Sequence, residues 1–169
     1  MHVFSTASVD TTSIQLLMDG VDVSLHSLVA DQKVLFTPKA IFKEGSTHKL
    51  ELTVKDYAGN SDSQTWSFTI DRTTPTLKVV SPRRGAKIKG KIKLKVKAKD
   101  NFKLKTVRYE VDDTVSGVLK PVKEKKDLFA TEWKTSSVRN GKHTLVFEAI
   151  DEALNKKRIT LPIIVANSR

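Results

Sequence analysis

The chain has 169 residues, 38% of them hydrophobic, enough for one ordinary domain or two small ones with packed cores. It contains no cysteine, which excludes disulfides, thiolate catalysis and cysteine-ligated zinc. The net charge of +11 is unevenly spread: residues 1–72 hold 6 Lys+Arg and 9 Asp+Glu, giving −3, while residues 73–169 hold 24 and 10, giving +14.

No apolar run approaches the roughly eighteen residues of a membrane span. The N-terminus, MHVFSTASVDTTS, has neither a basic n-region nor a continuous apolar h-region and does not read as a signal peptide. SIQLLMDG follows, closing on an Asp-Gly turn signal at 19–20. Leu50, Leu52 and Val54 then alternate with Glu51, Thr53 and Lys55, the two-residue period of a half-buried strand. After the Ala-Gly-Asn turn at 58–60, Trp66, Phe68 and Ile70 repeat that period. DRTTP is short and polar and carries a proline, as a linker should. SPRRG at 81–85 and NG at 140–141 are further turn signals, and Val107, Tyr109 and Val111 mark another strand. No segment holds a helical period over eleven residues.

The chain repeats itself. GSTHKLELTVKDYAGN, from Gly45, aligns with GKHTLVFEAIDEALN, from Gly141: His48 falls on His143, Leu52 on Phe147, Asp56 on Asp151 and Asn60 on Asn155. At the same offset Trp66, Phe68 and Ile70 fall on Leu161, Ile163 and Val165. Upstream, SIQLLMDG matches TVRYEVDD, and Phe36 of VLFTP matches Trp133 of TEWKT. Two modules are expected, 1–72 and 73–169, each an all-β sandwich of short strands.

The second module reads SPRRGAKIKGKIKLKVKAKDN, VRYEVDD, W-K-T and NGKHTLVFEAIDEALN, and it resembles the bacterial Ig-like repeats that occur in tandem in large secreted and cell-wall proteins. The first resembles the same group through IQLLMDG, FTP, HKLELTVKDYAGN and FTIDRTTP. The resemblance implies two tandem immunoglobulin-like β-sandwiches, an extracellular or cell-surface setting, and a non-catalytic spacer or presentation role beside neighbouring domains of a longer chain, such as a hydrolase. Two departures stand out. Leu154 replaces the usual turn glycine, so that turn is expected to be reshaped. Residues 2–14 align with the end of the lysine-rich strand, so the first module lacks its N-terminal strand or strands. The chain then reads as a fragment of a longer protein. The alternative is a module that is genuinely minimal or that borrows a strand from a neighbour.

Residues 87–99 place Lys87, Lys89, Lys91, Lys93, Lys95, Lys97 and Lys99 on one parity and Ile88, Ile92, Leu94, Val96 and Ala98 on the other. Gly90 marks a bend. One reading is a solvated strand face whose lysines discourage edge pairing. The other is attraction to an anionic cell-wall polymer or polysaccharide. Nucleic acid is the least favoured partner, because no aromatics interleave for stacking and no recognition helix is expected.

His48 and His143 share parity with inward positions and read as hydrogen-bonded corner residues. Asp56 and Asp151 open turns whose own backbone N–H groups they can accept. A second reading groups Asp71, Asp100, Asn101 and Asp151 at the module junction as oxygen ligands for calcium. Trp66 and Trp133 are expected in the cores. No nucleophile–base arrangement, zinc-binding His-Glu-x-x-His or phosphate loop is present, so the chain itself is not expected to be an enzyme.

Overall fold

The computed structural model describes residues 8–30 and 33–168, with residues 26–30 described by their backbone alone. The chain divides into two compact units, Met1–Asp71 and Arg72–Arg169.

The second unit is a sandwich of two sheets. Its strands are β7 (Thr76–Ser81), β8 (Lys87–Ile88), β9 (Lys91–Lys99), β10 (Leu104–Val111), β11 (Val115–Val118), β12 (Lys120–Pro121), β13 (Leu128–Lys134), β14 (Gly141–Asp151) and β15 (Lys156–Val165). One sheet runs β11-β10-β14-β15-β8 and the other β12-β13-β9-β7. Pairing is antiparallel except between β8 and β15, which are parallel. The inner faces meet in one core that includes Leu94, Val96, Val107, Val111, Trp133, Leu145, Phe147, Ile163 and Val165. Burying each of these large side chains contributes about 1.5–3 kcal/mol.

Two polar devices hold this sandwich in shape. Gly90, at φ 68°, lets the chain leave the β15 sheet after β8 and enter the other as β9. Thr135, the threonine of W-K-T, fixes that crossing point: its N–H donates to the Gly90 carbonyl at 2.8 Å, and Asn167 Oδ1 accepts the Gly90 N–H at 3.0 Å. The Thr135 hydroxyl lies 2.6 Å from the same Asn167 oxygen. A buried threonine at the end of a strand thus links three segments whose backbone groups would otherwise lose their partners.

In the first unit the strands are β1 (Val9–Met18), β2 (Val21–Asp22), β3 (Ser27–Ala30), β4 (Lys33–Phe36), β5 (Thr47–Asp56) and β6 (Ser61–Thr69). One sheet runs β2-β1-β5-β6 and the other is the β3-β4 hairpin. Strand for strand, β2, β1, β5 and β6 repeat β11, β10, β14 and β15, and β4 repeats β13 through the match of Phe36 with Trp133. Among the described residues nothing repeats β7, β8 or β9.

The alignment of residues 2–14 with the end of the lysine strand is corrected from Val9 onward. Val9 and Asp10 pair with Asp56 and Lys55 of β5, so they belong to the counterpart of β10. A bulge between Asp10 and Gln15 hides this continuity from the two-residue period. Residues 2–7 of that alignment lie outside the described residues.

The two units differ in burial. Leu145 and Phe147 are wholly buried, whereas their counterparts Leu50 and Leu52 are only half-buried; Val54 is buried, as is its counterpart Ala149. Trp66, expected in the core, is 39% exposed, against 7% for its counterpart Leu161. Its parity is as predicted, since it pairs with Leu50 of β5, but its burial is not.

Candidate functional site

The seven lysines separate into two groups. Lys87 is in β8, in the sheet of β15, and Lys89 lies in the bend before Gly90. Lys91, Lys93, Lys95, Lys97 and Lys99 share the outer face of β9 because Leu94, Val96 and Ala98 are buried on the inner one. The flanking strands add to that face. Lys134 of β13 stands opposite Lys91, and Lys78 of β7 stands opposite Lys97. Glu132 stands opposite Lys93 and pairs with Lys91 at 2.7 Å. The lysine ammonium groups, Lys91 first, hold the Glu132 carboxyl below its usual range. Among the described residues, Lys91 is the one lysine of β9 that closes an ion pair. A hollow lined by Lys78, Lys97, Lys99 and Asp127 lies at one end of the face.

Like charges directly opposite one another in a ladder are destabilising. Two such pairs, Lys91 with Lys134 and Lys97 with Lys78, therefore concentrate positive potential at a cost in stability. The outer face of the other sheet is arranged differently. Arg108, Glu148 and Arg158 stand abreast on β10, β14 and β15, and the buried Glu148 carboxylate receives Arg108 Nη2 at 2.6 Å and Arg158 Nε at 3.1 Å. This compensated row was not singled out in the sequence. The cross-strand register that creates it could have been found by laying VRYEV against LVFEAI.

The two histidines occupy equivalent clasps. His48 Nδ1 lies 2.6 Å from Asp19 Oδ2, and Asp19 Oδ1 accepts the Lys49 N–H at 2.8 Å. His143 Nδ1 meets Asp112 Oδ2, Asp112 Oδ1 accepts the Thr144 N–H at 2.6 Å, and His143 Nε2 donates to the Arg139 carbonyl at 2.8 Å. Asp112 raises the His143 pKa. Burial pushes Asp112 up, and the Thr144 N–H and His143 together more than reverse it. Each histidine ties a strand to the turn beside it.

The aspartate turns also repeat. Asp56 Oδ1 accepts Ala58 N–H and Asn60 N–H, each at 2.9 Å, and its Oδ2 accepts Asn60 Nδ2 at 2.8 Å. Asp151 accepts Asn155 N–H at 2.8 Å and Asn155 Nδ2 at 3.0 Å. The turn at Leu154 is not reshaped: Leu154 adopts φ 70°, close to the 86° of Gly59. Its N–H still donates to Asp151 O, as that of Gly59 does to Asp56 O.

Of the residues assigned to calcium, the second unit brings Asp100 and Asp151 together, with a carboxylate oxygen of each within 4.8 Å of the other. Asp151 is 0% exposed. Asp100 Oδ2 accepts the Phe102 N–H at 2.9 Å, while Asp100 Oδ1 is buried with no hydrogen-bond partner. Asn101 is exposed beside them, and Asp71 is the last residue of the first unit. Burying a carboxylate oxygen unpaired next to a second buried carboxylate is costly unless a cation neutralises both.

These sheets, cores and corner clasps define Ig-like β-sandwich modules. The fold resembles the fibronectin(III)-like modules of Clostridium thermocellum CbhA, at 15% identity, covering 98% of this chain and 83% of that one with a TM-score of 0.64. It also resembles part of the endo-beta-1,4-mannanase from Thermotoga petrophila, at 15% identity over 58% of this chain with a TM-score of 0.51. The chain spans about a fifth of that enzyme's length, 21%. Residues 75–146 match the bacterial Ig domain family, within the second unit. No curated protein matches the chain in sequence. No catalytic family is indicated. Among the described residues, no helix is long and apolar enough to cross a membrane.

Proposed function

We propose that the chain is a non-catalytic accessory segment of a secreted or surface-attached bacterial protein, which spaces and presents neighbouring domains. The match of residues 75–146 to the bacterial Ig domain family carries this reading. The interior of that unit is filled by side chains, and its polar clusters are used in turns and corner clasps. The test is turnover: the purified full chain should hydrolyse neither β-glycan nor peptide substrates, and activity that survives repurification overturns the proposal.

A second reading is favoured by the lysine-rich β9 face, where Lys91 alone closes an ion pair among the described residues. It serves as an adhesive surface for an anionic cell-wall polymer or polysaccharide, held by charge and therefore released by salt. Retention on immobilised teichoic acid at low ionic strength tests it, and absence of retention there removes it.

Calcium is the cation whose oxygen preference suits Asp100 and Asp151. The orphaned Asp100 Oδ1 supports this assignment, and the response of stability to added calcium tests it.

A further inference from the structure

We propose that the β9 face holds a linear phosphodiester whose phosphates are bridged by three carbons, laid along the strand with one phosphate to each lysine; this rests on the adhesive reading above and names its ligand. Lys91, Lys93, Lys95, Lys97 and Lys99 share one face of a single strand, β9. Its pairing with β13 runs from Lys91 to Lys97 without a register shift, so the charges recur at a constant interval of two residues, about 6.7 Å. Two residues are six backbone bonds. A phosphodiester with a three-carbon bridge also repeats every six bonds, so its charges in extended form recur at nearly the same distance. Mismatch would accumulate along the row: a five-carbon bridge, with eight bonds to the repeat, presents one phosphate fewer over the same length. Lys91, at one end, is shared with Glu132, so Lys93, Lys95, Lys97 and Lys99 carry most of the attraction.

The face also selects against other polyanions. Among the described residues, the outward positions of β7, β9 and β13 carry no aromatic ring, because Phe129 and Trp133 stand opposite Val96 and Ile92 and pack with the core. A sugar ring or a base therefore finds nothing to stack on. Lysine supplies compact point charges, which suit the charged backbone of a phosphodiester. Lys95, in the middle of the row, is flanked by the short side chains of Ala130 on β13 and Ser81 on β7. A strand twists along its length, and an acyclic backbone follows that twist more readily than a stiff chain of sugar rings.

The probes are synthetic glycerol phosphate oligomers of three, five and eight phosphates, titrated into the full chain by calorimetry at several salt concentrations. The slope of log affinity against log salt should steepen from three phosphates to five and stay constant from five to eight, because the row is then full. A ribitol phosphate oligomer of five phosphates, equal in charge, should bind roughly two- to fivefold more weakly, the worth of one exposed ion pair. Lys95→Gln should lower the slope for the glycerol phosphate pentamer by about one, whereas Lys87→Gln, in the other sheet, should leave it unchanged. Equal binding of the two pentamers, or equal effects of the two substitutions, overturns the proposal and leaves a diffuse adhesive face. An oligothymidylate of equal charge that binds more tightly than the glycerol phosphate pentamer overturns the choice of polymer. Absence of binding by every oligomer at low salt removes the adhesive reading as well.

Discussion

Asp112, in the turn after β10, grips the His143 ring on β14 from 31 residues away, and Asp19 and His48 form the same clasp in the first unit. The clasp joins side chains that the sequence shows only as a recurring His-x-Leu and a recurring Asp after a strand. It closes the corner of a sandwich and leaves no ring nitrogen of His143 free for chemistry.

The clasp makes stability depend on pH. His143 has a raised pKa, so its contribution is complete below its ordinary value of 6.5 and is lost as pH rises through the folded value. Asp112 has a lowered pKa, so its contribution is present above 3.8 and is lost as pH falls through the folded value. Thermal unfolding of the second unit should therefore show its greatest benefit from this pair between those limits. His143→Gln should flatten the alkaline limb, and an unchanged limb would show that another group titrates there.

Leu154 holds a backbone conformation that costs a non-glycine residue about 1–2 kcal/mol. Its side chain is 58% exposed and loses little on removal. Glycine's greater freedom in the unfolded chain returns roughly 0.4–1 kcal/mol. Leu154→Gly should accordingly stabilise the second unit by about 0.5–1 kcal/mol in urea unfolding; destabilisation would mean that the leucine packs usefully.

Gly117 lies opposite Tyr109, and a Cβ there would meet Tyr109 Cε1 at 2.6 Å. Tyr109 is buried, and burial raises the pKa of its hydroxyl. Gly117→Ala should destabilise by about 1–3 kcal/mol, the usual cost of overpacking. In a Tyr109→Leu background most of that cost should vanish, which a double-mutant cycle measures.

Reversing Lys93, Lys95 and Lys97 to glutamate should abolish retention on anionic polymer at low salt while leaving the melting temperature within a few degrees. Lys97→Glu would face Lys78 and replace a repulsive pair with an attractive one. Retention that survives the triple reversal would place binding elsewhere on the chain.

Millimolar calcium should raise the melting temperature of the second unit, and Asp100→Asn should remove the response while leaving the Asp151 turn formed. Equal responses in the two proteins would exclude Asp100 as a ligand.

The strands, their inward parity and the repeat were legible because apolar alternation is local and survives in the letters. The burial of Leu94, Val96 and Ala98 followed from it, while the bend at Gly90 followed from the family resemblance. Trp66 shows where that reasoning stops: parity states which way a side chain points, not whether a second sheet lies over it. The lysine ribbon shows the same limit. The letters present seven equivalent lysines, but Lys87 hydrogen-bonds into a different sheet from Lys91.

By itself, then, the sequence determined an all-β chain of two similar sandwiches with one strongly basic half, because strand periodicity, turn residues and charge are written position by position. Only the tertiary structure decided which groups meet: Lys97 against Lys78, Arg108 and Arg158 on Glu148, His143 in the grip of Asp112. These contacts depend on cross-strand register and on which sheet each strand joins, and both are set by hydrogen-bond pairing between segments far apart in the chain.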